Sequence, residues 1–480
     1  MNRTANRMNR PNHPTRRAFL ENAGRIAAAS ALAGVAVPHV HAAENNTIRL
    51  ALIGCGARGT GAAANALNVR RGPVKLVAMA DVFPEHIEYS LKNLTQGIQA
   101  SYDRTASAGL GDRIDVPPER RFVGFDGYRK AMDCLRPGDV AIFTTPPVFR
   151  WVHFGYAIEK GLNVFMEKPL AADGPTARRL LQQAEQATAK NLKVGVGLMS
   201  HHSRALQQLH QRIADGEIGD LILMQAYRLI GPLATGFSTR WPGEPSELLW
   251  QIRRFHSFIW ASGGSFNDFY IHNVDHCCWM KNAWPVKARA VGGRHYRTSP
   301  QGEPYVDQNF DTYTVEYIFA DDAKLILSGR CMPSCYQNHG SVARGTKGGA
   351  IVGRGDCFGP CATFQGLAAM SKSNQLWKSD VSPDEASPYQ NEWNDLVDAI
   401  RDDKPYNEVR NGVEASVVAN MGRIAAHTGR EVTYEETLHG QREYAPNVDQ
   451  FTSDSPPPVQ ANAEGKYPVP QPGITTQQEY

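Results

Sequence analysis

Residues 48–59 read I-R-L-A-L-I-G-C-G-A-R-G, and this stretch decides the first half of the fold. A mostly apolar run, typical of a buried strand, passes directly into a G-x-G-x-x-G turn formed by Gly54, Gly56 and Gly59. Such glycines let the backbone approach a pyrophosphate at the N-terminus of the following helix. Glycines also make ordinary tight turns, so the motif needs support from the residues around it.

That support is an acidic residue after the next strand. Asp81 ends a second apolar run, 22 residues beyond Gly59, where a carboxylate can bind the adenosine ribose hydroxyls of a dinucleotide. A carboxylate there repels a 2′-phosphate, which favours NAD over NADP. Arg58, inside the glycine turn, supplies a guanidinium that can contact phosphate, and it therefore leaves NADP open.

Further along the chain, short apolar runs alternate with helix-length segments. Parallel strands buried on both faces read as such continuous runs, and crossover helices fill the segments between them. The runs occupy residues 48–54, 74–81, 139–145, 163–167 and 192–197. The pattern predicts an α/β Rossmann domain over residues 46–198.

The second half of the chain has a different rhythm. The whole chain has 480 residues, which exceeds what one hydrophobic core of about 250–300 residues supports. Strand patterns follow one another at residues 221–230, 286–295, 311–319 and 324–331, which predicts an α+β domain with a largely antiparallel sheet over residues 199–440. Residues 449–480 are rich in Pro, Gln and Ser, and we expect them to form a flexible tail without a packed core.

The first 42 residues have the order of an export signal. Arg16 and Arg17 lie in a basic stretch, an apolar run follows at residues 26–37, and small residues precede Ala42. This order predicts a twin-arginine signal cleaved after Ala42 or Ala43, and hence export to the periplasm by the twin-arginine machinery. Because that route moves folded proteins, the signal is consistent with a cofactor acquired before export.

Composition excludes two other classes of protein. The longest apolar run has 12 residues, whereas a membrane-spanning helix needs about 20. A net charge of +3 over 480 residues gives no basic field for nucleic acid. We therefore expect neither a membrane span nor a nucleic-acid partner.

An oxidising destination makes the eight cysteines relevant. Cys331 and Cys335 are four residues apart, as are Cys357 and Cys361. The spacing fits no standard zinc site and no histidine cluster accompanies it, so we predict no metal. Buried thiols and one or two disulfides remain as alternatives.

The predicted strand at residues 163–167 ends in Glu167-Lys168-Pro169. At the carboxyl end of a parallel strand, beside a cofactor crevice, Lys168 is placed for proton transfer or substrate binding. The alternative is a surface lysine paired with Glu167, and the tripeptide alone does not decide between the two.

Residues 263–275 read G-G-S-F-N-D-F-Y-I-H-N-V-D. In a helix, Asp268, His272 and Asp275 at i, i+4 and i+7 share one face, and histidine is the usual proton carrier near neutral pH. An acid or base pair and a lysine facing a nicotinamide suit the oxidation of an alcohol. A buried histidine with its acid partner is the alternative.

With these three motifs in this order, the chain resembles the Gfo/Idh/MocA oxidoreductases from about residue 48 to about residue 436. The resemblance implies a Rossmann domain, a second domain on an open antiparallel sheet, and a homodimer or homotetramer formed through that sheet. It implies hydride transfer to or from a sugar, inositol or related polyol. By this resemblance Lys168 orients the hydroxyl, His272 is the general base, and Asp268 positions the substrate or tunes His272.

The resemblance also extends to the cofactor site, with one departure. It implies that Thr145 and Pro146 line the nicotinamide, next to Glu167 and Lys168. The family often has the pattern T-P-x-x-x-H at this turn, but here the sixth residue is Arg150. Any role of that histidine is therefore not carried over.

Exported relatives in this family keep their cofactor bound, so the resemblance implies tight retention of NAD, with NADP possible. Some exported relatives instead use bound NAD for glycoside cleavage, by transient oxidation and elimination, which gives a hydrolase or lyase as the alternative function. A sugar-binding protein without catalysis is a third reading. The candidate substrate contacts are Tyr270, Asn273, Asp275 and His201.

Overall fold

The structure is a computed structural model, and it describes residues 46–98 and 107–480. The predicted twin-arginine signal, residues 1–42, lies outside the described residues. The elements of the first domain are β1 (Ile48–Ile53), α1 (Ala57–Leu67), β2 (Val74–Asp81), α2 (Pro84–Gln96), β3 (Gly97–Ile98), β4 (Ser107–Ala108), β5 (Arg121–Val123), α3 (Gly127–Asp133), β6 (Val140–Phe143), α4 (Arg150–Lys160), β7 (Asn163–Met166), α5 (Gly174–Ala189) and β8 (Val194–Val196).

Six strands of this described part form a parallel sheet in the order β5-β2-β1-β6-β7-β8. The strand β1 sends Leu50 and Leu52 to one face and Ala51 and Ile53 to the other, which explains its continuous apolar sequence. Helices α3, α4 and α5 cover one face, and α1 and α2 cover the other. The predicted α/β class is confirmed.

The second domain continues with α6 (Arg204–Ala214), β9 (Leu221–Ile230), α7 (Glu247–Arg253), α8 (Ile259–Ser262), α9 (Ile271–Lys281), β10 (Lys287–Gly293), β11 (Thr312–Ile318), β12 (Lys324–Cys331), β13 (Asn338–Gly345), β14 (Gly348–Arg354), β15 (Ala362–Gln365), β16 (Gln375–Lys378), α10 (Pro388–Arg401), α11 (Val409–Thr428), β17 (Val432–Thr433) and α12 (Tyr434–His439).

Among the described residues, nine strands form the second sheet in the order β16-β15-β14-β13-β9-β12-β11-β10-β17. All neighbours are antiparallel except β9 and β12, which run parallel. The inner face packs against α9 and α11 through apolar residues such as Val274 and Met421. The mainly antiparallel sheet was predicted correctly.

Helices α10 and α11 join the two domains. We assigned them to the second domain, but Trp393, Leu396 and Val397 of α10 lie in the core of the first, beside β1 and α1. Val413 and Val417 of α11 complete the core on the opposite face of the same sheet. Residues 388–428 therefore serve both domains and fix one against the other.

The prediction of a flexible tail over residues 449–480 is wrong. Val459 and Tyr467 are buried among the aromatic residues of the segment around α7 and α8. Near the C-terminus, Glu479 is buried, and its Oε1 lies 2.9 Å from Nε of Arg423 and 2.7 Å from Nδ1 of His427. The polar composition of the tail suggested disorder, but a few widely spaced apolar and acidic side chains hold it against the rest of the protein.

All eight cysteines are free thiols in the structure, so the disulfide alternative is not supported. In the part of the chain that the structure describes, no helix has the length and apolar character needed to cross a bilayer. Nor do His, Cys, Asp and Glu side chains in residues 46–98 and 107–480 form a group that could hold a metal ion.

Candidate active site

The glycine turn between β1 and α1 has a steric reason for each of its glycines. Gly54 has φ +92°, and a Cβ there would lie 2.8 Å from the carbonyl carbon of Thr144. A Cβ on Gly59 would collide with the carbonyl oxygen of Gly54. A Cβ on Gly56, in contrast, would meet nothing within 4 Å. The first and third glycines thus allow tight packing, and the second presents bare backbone to open space.

This turn borders a cleft of about 750 Å³ that opens to solvent. Asp81 lies on its wall and accepts hydrogen bonds from the backbone N–H groups of Cys55, at 2.6 Å, and Phe83, at 2.9 Å. Nδ1 of His86 is 3.4 Å from the same carboxylate, which raises the pKa of His86. Ile252 and Arg253 of the second domain form part of the opposite wall.

The predicted residues Thr145 and Pro146 line the other end of the cleft. Nη1 of Arg150 donates to Oγ1 of Thr145 at 3.1 Å, and Nε donates to the carbonyl of Glu167 at 2.8 Å. Burial lowers the pKa of Arg150 to about 10, so its charge persists at neutral pH. The residue that departs from the family pattern thus ties the Thr145 hydroxyl to the backbone just before Lys168.

We expected Arg58 to contact the cofactor, but its side chain does not line the cleft. Its Nε lies 2.5 Å from Oε1 of Glu167, its Nη2 lies 3.3 Å from Oε1 of Glu392, and the guanidinium sits 5.0 Å from the Tyr389 ring centroid. Neither Arg58 nor Glu167 lines the cleft. Glu167 therefore anchors Arg58 and holds α1 against β7, which is the physical reason that neither contacts the cofactor space.

Lys168 is held at the end of β7 by the segment before α9. Its Nζ donates to the carbonyl oxygen of Asp268 at 2.7 Å and lies 3.6 Å from Oδ1 of the same residue. Nε2 of His256 is 3.2 Å from Oδ2. Burial alone would raise the pKa of Asp268, but Lys168 and His256 outweigh burial and lower it to about 2. An ionised Asp268 therefore positions Lys168, and the surface-lysine reading is wrong.

His272, in the first turn of α9, is 7% exposed. Its Nδ1 is buried and has no hydrogen-bond partner among the described residues. Burial lowers the pKa of His272 well below its usual value, and the positive charges of Lys168 and Arg228 add to this shift. The imidazole is therefore neutral at neutral pH and has a nitrogen free to accept a proton.

The expected single helical face of Asp268, His272 and Asp275 is not present. Phe266–Tyr270 form a π-helical turn before α9, and the wider turn breaks the i, i+4 alignment. Asp268 pairs with Lys168 and His256, whereas Asp275, which is fully buried, lies 2.9 Å from Nε2 of His201.

The remaining predicted substrate contacts are bound within the protein. His201 pairs with Asp275 and stacks on Trp279. The Tyr270 hydroxyl is 3.3 Å from Sγ of Cys331, in the core between helix and sheet. Nδ2 of Asn273 is 3.4 Å from Oγ of Ser341. These three residues and Asp275 are therefore engaged in contacts within the protein, which argues against their assignment as substrate contacts.

Sequence reasoning missed His256, Glu392 and Arg228. His256 and Glu392 come from segments distant in sequence from their partners, and no local spacing indicates them. Arg228 did leave a signal: it follows Met224 and Ala226 at alternate positions on the inner face of β9, where an apolar residue is expected.

The residues present fit a dinucleotide. The backbone of Gly56 faces open space, the N-terminus of α1 has no side-chain cap, and such a helix end suits a pyrophosphate. Asp81 lines the cleft and could meet a ribose, and Thr145 and Pro146 line the same cleft, with Thr145 linked through Arg150 to the backbone just before Lys168. These residues would hold the cofactor.

No protein-family model and no curated protein sequence matches the chain. Solved structures do. One is scyllo-inositol dehydrogenase from Lactobacillus casei with bound NAD(H) and scyllo-inositol, at 20% identity and TM-score 0.56, covering 81% of this chain and 99% of that one.

Two further structures match with the same coverage of 81% and 99%. They are aldose-aldose oxidoreductase from Caulobacter crescentus complexed with glycerol, at 15% identity and TM-score 0.57, and levoglucosan dehydrogenase in complex with NADH and levoglucosan, at 16% identity and TM-score 0.58. The chain therefore has the two-domain fold of these proteins, which is the fold that the resemblance to the Gfo/Idh/MocA oxidoreductases implied.

Proposed function

We propose that the chain is an NAD(P)-dependent oxidoreductase of the Gfo/Idh/MocA type that acts on a hydroxyl carbon of a sugar, polyol or related carbohydrate. One observation carries the proposal. Next to the cleft, where Arg150 links Thr145 to the backbone just before Lys168, an ionised Asp268 holds the Lys168 amine, and Nδ1 of the buried, neutral His272 has no hydrogen-bond partner among the described residues. Structures of the same fold contain NAD(H) with an inositol and NADH with a sugar, which supports the assignment.

Each polar side chain of the site has its own role in the proposed reaction. A nicotinamide supplies the hydride acceptor when bound. Lys168, directed by Asp268, donates a hydrogen bond to the substrate oxygen and keeps its hydroxyl in one orientation. His272 takes the hydroxyl proton in this proposal, because its buried imidazole is neutral and therefore has an unprotonated ring nitrogen. Arg150 fixes the Thr145 side chain at the cleft end.

NAD is the preferred cofactor in this proposal, because the Asp81 carboxylate lies on the cleft wall and Arg58, the residue that left NADP open, is bound to Glu167. Tight retention is supported by Ile252 and Arg253, which cover the cleft from the second domain. Residues 451–467 brace that segment: the Gln251 side chain donates to the carbonyl of Val459 at 2.7 Å.

Export and assembly are also proposed. Residues 1–42, with Arg16 and Arg17 before an apolar run, support a twin-arginine signal and a periplasmic enzyme. The outward face of the nine-stranded sheet carries exposed apolar residues such as Val291, which is 71% exposed. An exposed apolar sheet face supports a homodimer or homotetramer.

The test uses the folded chain isolated without added nucleotide. It is mixed with a panel of free sugars, polyols and glycosides while nicotinamide absorbance and released product are followed together. We expect reduced cofactor that persists until a second carbonyl compound is added. Cleaved glycoside without a lasting absorbance change would instead indicate a hydrolase or lyase, and unchanged sugars after prolonged incubation would indicate a binding protein.

A further inference from the structure

We infer that the substrate of this site carries a carboxylate and that Arg228 binds it. This inference rests on the proposed function, because it names the substrate class of the same site. The substrate would be a sugar acid, with one hydroxyl carbon at Lys168 and His272 and its carboxylate on the guanidinium of Arg228. The hydroxyl proton goes to His272, the hydride goes to oxidised nicotinamide, and the carboxylate is unchanged.

The first support is the position of Arg228 in the second sheet. Arg228 lies on β9 directly opposite His339 of β13, on the inner face against which α9 packs. Its guanidinium and the amine of Lys168 lie 6.0 Å and 5.9 Å from the centroid of one ring, that of Phe269. The arginine and the lysine therefore flank one aromatic side chain beside His272.

The second support is the unused edge of the guanidinium. Nη1 donates to Nε2 of His339 at 3.0 Å and to Sγ of Cys357 at 3.4 Å. Nε is buried and has no hydrogen-bond partner among residues 46–98 and 107–480. An arginine presents Nε and Nη2 as a planar pair of donors, which matches the two oxygens of a carboxylate.

The third support is charge. No carboxylate of the described residues lies within 4 Å of Arg228, whereas the buried arginines Arg294 and Arg423 pair with Asp307 and Glu479. Burial raises the pKa of the Cys357 thiol to about 11, so this neighbour is neutral. The half-buried guanidinium of Arg228 is therefore a cation without a carboxylate partner among the described residues, and a carboxylate on the ligand would supply one.

A carboxylate fits better than a phosphate. A single guanidinium edge has two donors in one plane, which a planar carboxylate satisfies completely. A phosphate dianion carries more charge and more acceptor oxygens, and it needs further donors. Lys168 is already committed to Asp268 and to the reacting hydroxyl, so it is not free to add them.

The experiment compares matched pairs on the full chain loaded with NAD: D-glucuronate against D-glucose, and D-gluconate against D-glucitol. Binding is measured by isothermal titration calorimetry, and turnover by nicotinamide absorbance. We expect the acid of a pair to bind about tenfold or more tightly than its neutral partner. Arg228→Gln should abolish this preference, while Arg228→Lys should restore part of it.

Arg344→Gln is the matched control. Arg344 lies on β13, on the face opposite His339, and donates to the carbonyl of Ala368, so its loss should leave the preference unchanged. Equal binding of acids and neutral sugars by the unmodified chain would overturn the inference, whether or not Arg228→Gln folds. So would a preference for glucose 6-phosphate over glucuronate.

The outcomes separate the two proposals. Cofactor reduction by neutral sugars with no effect of Arg228→Gln on acids would leave the oxidoreductase intact and overturn the carboxylate site. Arg228-dependent binding of an acid without any cofactor reduction would keep the carboxylate site and contradict the oxidoreductase.

Discussion

The nucleotide end and the catalytic end of the site differ in how their polar side chains are hydrogen-bonded. At the nucleotide end, both oxygens of Asp81 accept from backbone N–H groups in the free protein. At the catalytic end, Asp268 holds Lys168 through its carbonyl and carboxylate oxygens, while Nδ1 of His272 has no hydrogen-bond partner in the part of the chain that the structure describes. The first end is shaped by a continuous stretch of chain, and the second leaves polar atoms to be satisfied by substrate.

The largest expected effect is at the catalytic end. Lys168→Met should lower turnover by about 10²–10⁴-fold, the usual contribution of a positioned proton-transfer group, while the content of bound nicotinamide stays unchanged. Turnover and cofactor content measured on the same preparation check this. Lys190→Met is the control, since the amine of Lys190 donates to the carbonyl of Ile158, away from the catalytic residues. Loss of cofactor together with turnover would show that Lys168 shapes the nucleotide end as well.

The next effect concerns the charges behind the catalytic end. His202 lies 2.8 Å from Asp395 and 3.1 Å from Glu408. Burial alone would lower the pKa of His202, but these two carboxylates raise it to about 10. The folded pKa exceeds the unfolded value of about 6.5, so the stabilisation is complete below that pH and is lost as pH rises towards 10.

Urea unfolding between pH 6 and pH 10 measures this loss. His202→Gln should lower the free energy of unfolding at neutral pH by about 3–5 kcal/mol, as expected when one partner of a buried ion pair is removed, and should flatten the pH dependence. His439→Gln, at a histidine that is 62% exposed, should change neither. A flat pH profile in the unmodified chain would mean that His202 is neutral.

The difference between the nucleotide end and the catalytic end also explains which features could be predicted from the sequence. Gly54, Gly56, Gly59 and Asp81 belong to one strand-turn-helix-strand unit, so their spacing alone placed them correctly. Lys168, Asp268 and His272 remain predicted site residues, and the geometry expected for Asp268 and His272 was wrong, because a π-helical turn has no spacing signal that separates it from an α-helix.

Contacts between separate segments of the chain could not be predicted from the sequence. The pairing of Asp268 with His256, and of Glu479 with Arg423, depends on chain packing that no periodicity encodes. The tail was misjudged for the same reason, because its composition resembles disorder while a few of its side chains fill sites made by α11. Arg228, the proposed carboxylate-binding residue, did leave a signal, because it interrupts the apolar alternation on β9.

A smaller effect is expected at the nucleotide end. Asp81→Asn should weaken NAD binding by about tenfold, because the ribose loses a charged acceptor, and should narrow the difference between NAD and NADP. Fluorescence titration with each nucleotide measures both dissociation constants. Asp112→Asn, at an exposed aspartate, is the control. An unchanged ratio would mean that Asp81 only ties Cys55 and Phe83 together.

The smallest expected effect concerns Tyr270 and tests whether this residue contacts the substrate. Tyr270 is 1% exposed, its ring packs on Phe266 and Tyr313, and its hydroxyl is hydrogen-bonded to Sγ of Cys331. Sulfur is a weak hydrogen-bond partner, so Tyr270→Phe should change the free energy of unfolding by less than about 1 kcal/mol and kcat/KM by less than about twofold. Steady-state kinetics and urea unfolding on one preparation check both values. A tenfold rise in KM at unchanged stability would instead indicate that Tyr270 contacts the substrate, as the sequence analysis predicted.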